Sequence, residues 1–360
     1  MIRTWRGPMR SRATRQVRSG SQERWRRRPD GSNWGDFGPD DALGTLNYLT
    51  PEAVRRARHE IREGRLFCLS LPLDRPGRPV LNPRRKPPVL RPTMRGGEPN
   101  YNFELAKSQP GATDVISDDR VELHSQYSTQ WDALAHGGSL FDGEGTGLAR
   151  ATYYNGFRAG EDVRVTADGE GGFTSSAGPL GVDVMALNGV TGRGVMLDLV
   201  RHFGAERRRV SFADMHLVIE KDNIAIQPGD IVCLHTGYAG RILAMGEEPD
   251  IDELNRHAIE LDGRDPALLE WLTTSRIAAL AADNYAVEAL PATPMAPPAA
   301  AAPLHEHCLF KLGMPLGELW LLDDLADWLA DNGRHAFFLS AAPLRLPGAA
   351  GSPVTPIGIV

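Results

Sequence analysis

Two periods alternate along the 360-residue chain. Apolar residues three and four apart predict helices, and short continuous apolar runs between turn residues predict buried strands. Thr50 as cap, Pro51 at the first helical position and Gly64 as terminator frame a helix with the apolar stripe Val54, Ala57 and Ile61. Residues 66–71 read as a strand, and the Pro/Arg-rich stretch 72–95 as a long surface loop that lines or covers a site. The alternating run 121–127 predicts extended chain. GVTGRGVMLDLV (189–200) joins a glycine-rich turn to an apolar strand, 211–220 has the pattern of a short capped helix, and QPGD turns into a buried strand over 231–235. Asp265 and Pro266 open a helix through Leu272, and 277–282 reads as a strand. The low-complexity segment PATPMAPPAAAAP (291–303) predicts an extended surface loop. Helices are expected around 305–312 and over 317–329, followed by a final strand and tail. This interleaving predicts a mixed α/β architecture.

Composition narrows the class. With 41% hydrophobic residues the chain can bury a sizeable core. No stretch reaches the roughly 18 consecutive apolar residues of a membrane span, and the N-terminus lacks the apolar core of a secretory signal. A cytoplasmic protein is therefore expected. Cys68, Cys233 and Cys308 are odd in number and widely spaced, which fits a reducing compartment, each as a small buried hydrophobe rather than part of a disulfide or metal knuckle. Residues 1–28 carry ten Arg and one Glu, a balance of +9 within a total of −6. Residues 1–31 are expected to form a disordered basic extension and 32–360 a single catalytic domain. The acidic remainder argues against nucleic acid as main ligand. FDGEGTG (141–147) lacks the Lys-Ser/Thr of a P-loop, and no G-x-S-x-G elbow is present.

Polar chemistry concentrates in HSQYSTQWDALAHG (124–137). His124, Gln126, Ser128, Gln130 and Asp132 occupy alternate positions, so in an extended chain they share one face. That face is either a metal or substrate site, with His136 as a proton-transfer group, or merely a solvated strand face. Trp34, Trp131, Phe141, Tyr153 and Tyr154 could wall a pocket or pack in the core.

The stretch resembles the signature of the cyclase family, H-x-G-T-H-x-D-x-P-x-H, which here reads Q-Y-S-T-Q-W-D-A-L-A-H over 126–136. SNWGDFGPDDALGTLN, GVTGRGVMLD, PGDIVCLHTGY, ADNYAVE, the pair His305 and Glu318, and GSPVTPIGIV extend the resemblance over most of 32–360, and the TQWDALAH variant points to the family's longer branch. The resemblance implies the swivelling β/β/α fold, homodimers or homotetramers, and arylformamidase-like or isatin hydrolase-like attack on a C–N bond of an amide, formamide or cyclic amide. It also leaves open a cyclase or dehydratase acting on a polyketide-like metabolite, and a catalytically silent small-molecule binding protein. In the family the two early histidines and the aspartate bind divalent metal and the last histidine is the acid/base. By position Gln126 and Gln130 replace the ligand histidines, while Asp132 and His136 are kept. Asp132, His305 and Glu318, with a glutamine oxygen from Gln126 or Gln130, imply an oxygen-rich site for Zn, Mn or Mg. Alternatively the glutamines orient substrate or water without metal. His305 rather than His307 is expected to face inward, His124 to be structural, Arg193 and Asp198 to form a salt link, and Asp283 and Glu288 to organise loops.

Overall fold

The computed structural model describes residues 24–360. Its centre is a nine-stranded mixed sheet made of β1 (Leu66–Cys68), β2 (Gln130–Asp132), β3 (Thr191–Asp198), β4 (Ile231–His235), β5 (Ala279–Ala282), β6 (Leu316–Glu318), β7 (Ala336–Ser340), β8 (Gly351–Pro353) and β9 (Ile357–Ile359). The strands lie in the order β1-β9-β7-β3-β4-β5-β6-β2-β8. β3 to β6 run parallel, and the flanking pairs are antiparallel.

The central strands read as unbroken apolar runs because both faces are covered. Val195, Leu197, Val232, Leu234 and Leu280 face helices α2 (Phe212–Lys221) and α4 (Pro266–Thr274), whose Met215, Val218, Leu268 and Leu272 join the same cluster. Met196, Ile231, Cys233, Ala279 and Ala281 point the other way, toward Leu325, Ala326 and Leu329 of α5 (Asp323–Asp331). This is the mixed sheet with outer helices that the swivelling β/β/α expectation described.

Local signals acted as their chemistry dictates. Thr50 accepts from the Ala53 N–H at the start of α1 (Pro51–Ala57), and Ser211 with Asp214 forms a full capping box on α2. The first helix nevertheless ends well before Gly64, and its buried residues are Ala53 and Ala57 rather than the stripe through Val54 and Ile61. Residues 291–303 carry no regular structure before Pro303, as expected.

Several expectations are corrected. The helix placed over 317–329 is two elements: Glu318 ends β6 and helix begins only at Asp323. The loop 72–95 contains a strand, Val89–Pro92, paired with Asp119–Glu122. Residues 126–132 are not one strand, since a turn precedes Gln130. Arg193 pairs with Asp230 (2.7 Å) and Glu60 (3.0 Å), not with Asp198. Cys68 is exposed, not buried. Of the predicted extension 1–31, residues 1–23 lie outside the described residues. Within 24–31, Arg24 pairs with Asp40 at 2.9 Å and the Trp25 ring lies 6.1 Å from that of Trp34, while Arg26, Arg27, Arg28, Asp30 and Gly31 are exposed.

Candidate active site

β2 is clamped on both sides, with Gln130 opposite Glu318 on β6 and Asp132 opposite Gly351 on β8. Side chains alternate across a strand. Trp131 therefore enters the opposite core, edge-on to Trp320 at 5.0 Å, while Gln130, Asp132 and Glu318 share the other face. The Trp131 indole N–H donates to the Ala341 carbonyl at 2.7 Å and that of Trp320 to the Gln130 carbonyl at 3.2 Å, fixing the strand. Gly317 is needed here, because a Cβ would lie 2.7 Å from the Trp320 indole nitrogen.

His305 reaches this face from the turn where the segment Pro303–His305 passes into a π-helical stretch, Glu306–Leu312. A buried carboxylate holds it. Glu288 accepts from the Leu304 and His305 backbone N–H groups (3.0 and 2.8 Å) and from His305 Nδ1 (2.8 Å). His305 Nε2 then faces Glu318 Oε1 at 3.3 Å. The Gln130 amide nitrogen donates to Glu318 Oε2 (2.8 Å) and Asp132 Oδ1 (3.2 Å). His136 Nδ1 sits 3.7 Å from Asp132 Oδ1 and 3.4 Å from the Gln126 amide nitrogen. Asp132 and Glu318 are essentially closed to solvent, whereas the His136 side chain is 24% exposed. The array is therefore buried acid below and accessible imidazole above.

Electrostatics follow from the burial. Loss of solvent lifts the Asp132 carboxyl to about 6, opposed by His136 and reinforced by Glu318. Burial also disfavours charge on His305, but the hydrogen bonds to Glu288 and Glu318 outweigh it and raise the imidazole to about 10. Desolvation pushes Glu318 up, but its bond to His305 together with the nearby charges of His305, His136 and Arg85 holds it below the usual carboxylate range.

Buried Asp132 Oδ2 and Gln130 Oε1 have no hydrogen-bond partner. Orphaned buried oxygens are costly and require a cationic or donor partner. Asp132, His136 and His305 each offer a ligand atom within 4.8 Å of the others. The donor set thus fits a divalent ion, with Asp132 and His305 at its heart. Glu318 is tied into the cluster by His305 and Gln130, while Gln126 reaches it only through His136.

The remaining sequence candidates fall away from the chemistry. His124 Nδ1 lies 3.2 Å from the Lys86 carbonyl. His307 bonds Thr273 at 3.0 Å, and burial, aided by Lys311, pushes it down to about 4. Trp34, Phe141 and Phe310 pack on one another in the core, and Tyr154 donates to Asp41 at 3.0 Å. Neither these nor Trp131 wall a pocket beside Asp132.

Two contributors, Glu288 and Arg85, were not legible in these roles. Glu288 is presented by Ala286 and Val287, both left-handed (φ 74° and 59°), and Glu318 precedes left-handed Leu319 (φ 55°). Such conformations cost on the order of 1–3 kcal/mol each and persist where the surroundings impose them. Arg85, from the 72–95 loop, donates to the Gln126 carbonyl at 2.9 Å and places positive charge near both Asp132 and Glu318. With Asn82, Tyr127 and Tyr285 it lines a cleft beside Gln126. Arg85→Ala is expected to raise KM several-fold with a smaller change in kcat, read from steady-state kinetics; an unchanged KM would exclude it from substrate binding.

The sequence profile of the family described as "Putative cyclase" matches residues 67–289, well over half the chain. A crystal structure described as a novel cyclase is 32% identical, spans 91% of this chain and 97% of its own, and superposes with a TM-score of 0.70. Isatin hydrolase A from Labrenzia aggregata, solved with benzyl benzoate, shares the fold at 16% identity, 88% and 99% coverage and a TM-score of 0.54. Isatin hydrolase A from Ralstonia solanacearum does so at 18% identity, 85% and 95% coverage and 0.51. No curated protein matches the chain.

Proposed function

The chain belongs to the cyclase family, and from that premise we propose that it hydrolyses a C–N bond of an amide, formamide or cyclic amide. The carrying observation is the placement of a partly exposed imidazole, His136, beside Asp132 at the rim of the buried acid cluster. The isatin hydrolases that share the fold support hydrolysis as the reaction class.

In this reading the scissile carbonyl lies over Gln130 and Asp132, and a water is held between Asp132 and His136. His136 takes the water proton as its oxygen bonds to the carbonyl carbon, then returns it to the leaving nitrogen as the C–N bond breaks. Amide and water become carboxylic acid and amine. Gln126 steadies His136 through its amide, and Arg85 anchors the substrate's polar end. A divalent ion held by Asp132 and His305, with Gln130 and Glu318 oxygens, supplies Lewis-acid polarisation when bound. Placement of His305 by Glu288 is the carboxylate–imidazole support usual at such sites. An assembly of two or four copies belongs to the same reading and is supported by Val165 and Phe173, exposed on the paired strands Arg164–Ala167 and Phe173–Ser176.

The glutamines at 126 and 130 favour a second reading, a pocket that binds small molecules without turnover, since an amide oxygen is a weaker ligand than imidazole. One experiment separates them. After chelation and reloading with Mn2+ or Zn2+, elemental analysis is expected to find one ion fewer per chain in Asp132→Ala than in the parent. The parent should also turn over at least one member of a formanilide and lactam panel. Equal ion content and thermal stabilisation by amides without turnover would overturn the hydrolase reading.

A further inference from the structure

A second cluster of ligating side chains lies where the parallel strands end. Asp198 is the last residue of β3, His235 the last of β4, Asp283 directly follows β5, and Asp323 opens α5. Carboxyl ends of parallel strands are where open α/β sheets bind ligands. None of these residues takes part in the chemistry above.

His235 is only 5% exposed. Its Nδ1 lies 2.9 Å from Asp198 Oδ1, which orients the ring and leaves Nε2 facing Asp323 Oδ1 at 3.7 Å. That gap is too long for a hydrogen bond, and both His235 Nε2 and the second Asp323 oxygen are buried without a partner. Two atoms bound to one ion at about 2.0–2.2 Å lie roughly 3–4 Å apart. Ligand atoms of His235, Asp283 and Asp323 all lie within 4.8 Å of one another. Asp283 accepts from Thr236 N (2.8 Å), Thr236 Oγ (2.6 Å) and Gly237 N (2.7 Å), which leaves one of a carboxylate's roughly four lone-pair sites for a ligand. Gly240 of helix α3 (Tyr238–Met245) leaves room for the cluster, because a Cβ there would run into the Asp323 carboxylate.

From this geometry we propose a second divalent-cation site, formed by His235, Asp283 and Asp323 and separate from the Asp132 centre. Asp198 is its positioning residue, the carboxylate that fixes the imidazole so that Nε2 points inward. One imidazole and two carboxylates suit Mn2+ or Zn2+. Three carboxylates around one imidazole leave net negative charge even when the ring is protonated, and a divalent ion neutralises it. The ion pins α5 to the strand ends, and the segment Glu318 to Asp323 connects it to the first centre.

The test uses the full chain with Asp132→Ala, so that the first centre is weakened and only the second is counted. MnCl2 and then ZnCl2 are titrated by calorimetry, with elemental analysis after desalting. One ion per chain is expected in Asp132→Ala. Adding Asp323→Asn or His235→Gln should weaken its binding at least tenfold and abolish the ion-induced rise in Tm. Circular dichroism and a melt in chelator confirm folding, and two different replacements guard against one that fails to fold. No ion in Asp132→Ala, or affinity within twofold in both double variants, would overturn the site and leave His235 as a structural imidazolium. Failure of the hydrolase reading reads out separately, as absent turnover with this ion still bound.

Discussion

His136→Ala is expected to lower kcat by about a hundredfold or more while the protein stays folded. The imidazole is at the rim, its side chain 24% exposed, so its removal opens no sealed cavity and leaves the buried Gln130, Asp132 and Glu318 array in place. Its described polar neighbours are Asp132 Oδ1 at 3.7 Å and the Gln126 amide at 3.4 Å. Neither can replace it: an amide accepts no proton usefully, and Asp132 is committed to the cluster beneath. The loss should therefore fall on kcat and kcat/KM alike, the mark of an interaction made in the transition state. Turnover within threefold of the parent, on any substrate the enzyme cleaves, would remove His136 from the mechanism.

Glu288→Ala is expected to cost about 3–5 kcal/mol of stability, the usual consequence of removing one partner of a buried charged pair. This carboxylate is fully buried and serves three donors, the N–H groups of Leu304 and His305 and the His305 ring. Without it two backbone donors and an imidazole lose their acceptor in the interior, and each such loss is expensive. A urea unfolding curve measures the change as a lowered midpoint at constant slope. The variant should also lose ions from the Asp132 centre, since nothing else directs His305 Nε2 toward Glu318. A midpoint shift equivalent to less than about 1 kcal/mol would mean that other groups hold His305.

What the sequence revealed depended on whether the signal was local. Capping by Thr50 and Ser211, the strand Ile231–His235 and the helix Pro266–Thr274 are set by neighbouring residues, and each was legible. Asp132, His136 and the choice of His305 over His307 followed from the resemblance to the cyclase-family motifs, and the structure places them together. Glu318 was found as a residue but assigned to a helix, because the apolar spacing of LGELWLLDDLADWL continues across the strand end. Pairing with Gln130, distant in sequence, decides the matter. The alternation from His124 to Asp132 suggested one long strand, yet only its last three residues have a partner strand in the main sheet. Glu288 looked like a loop residue because its reach toward His305 depends on two left-handed residues with no compositional signature. Arg85 is one of several arginines in its loop, and nothing local distinguishes it.

The clamping of β2 between β6 and β8 has a consequence for how the molecule is made. Gln130 and Glu318 are separated by 188 positions, and the strand on the other side of β2 starts at Gly351. Contacts so distant along the chain close late, because the intervening loop must lose its freedom before they repay it. During vectorial synthesis β3, β4 and β5, with the helices between them, can assemble while Asp132 still waits without strand neighbours. The acid cluster is thus a closing step of folding rather than its nucleus, and chains halted before residue 316 would carry the paired strands β3, β4 and β5 while Gln130 and Asp132 still lacked both strand neighbours.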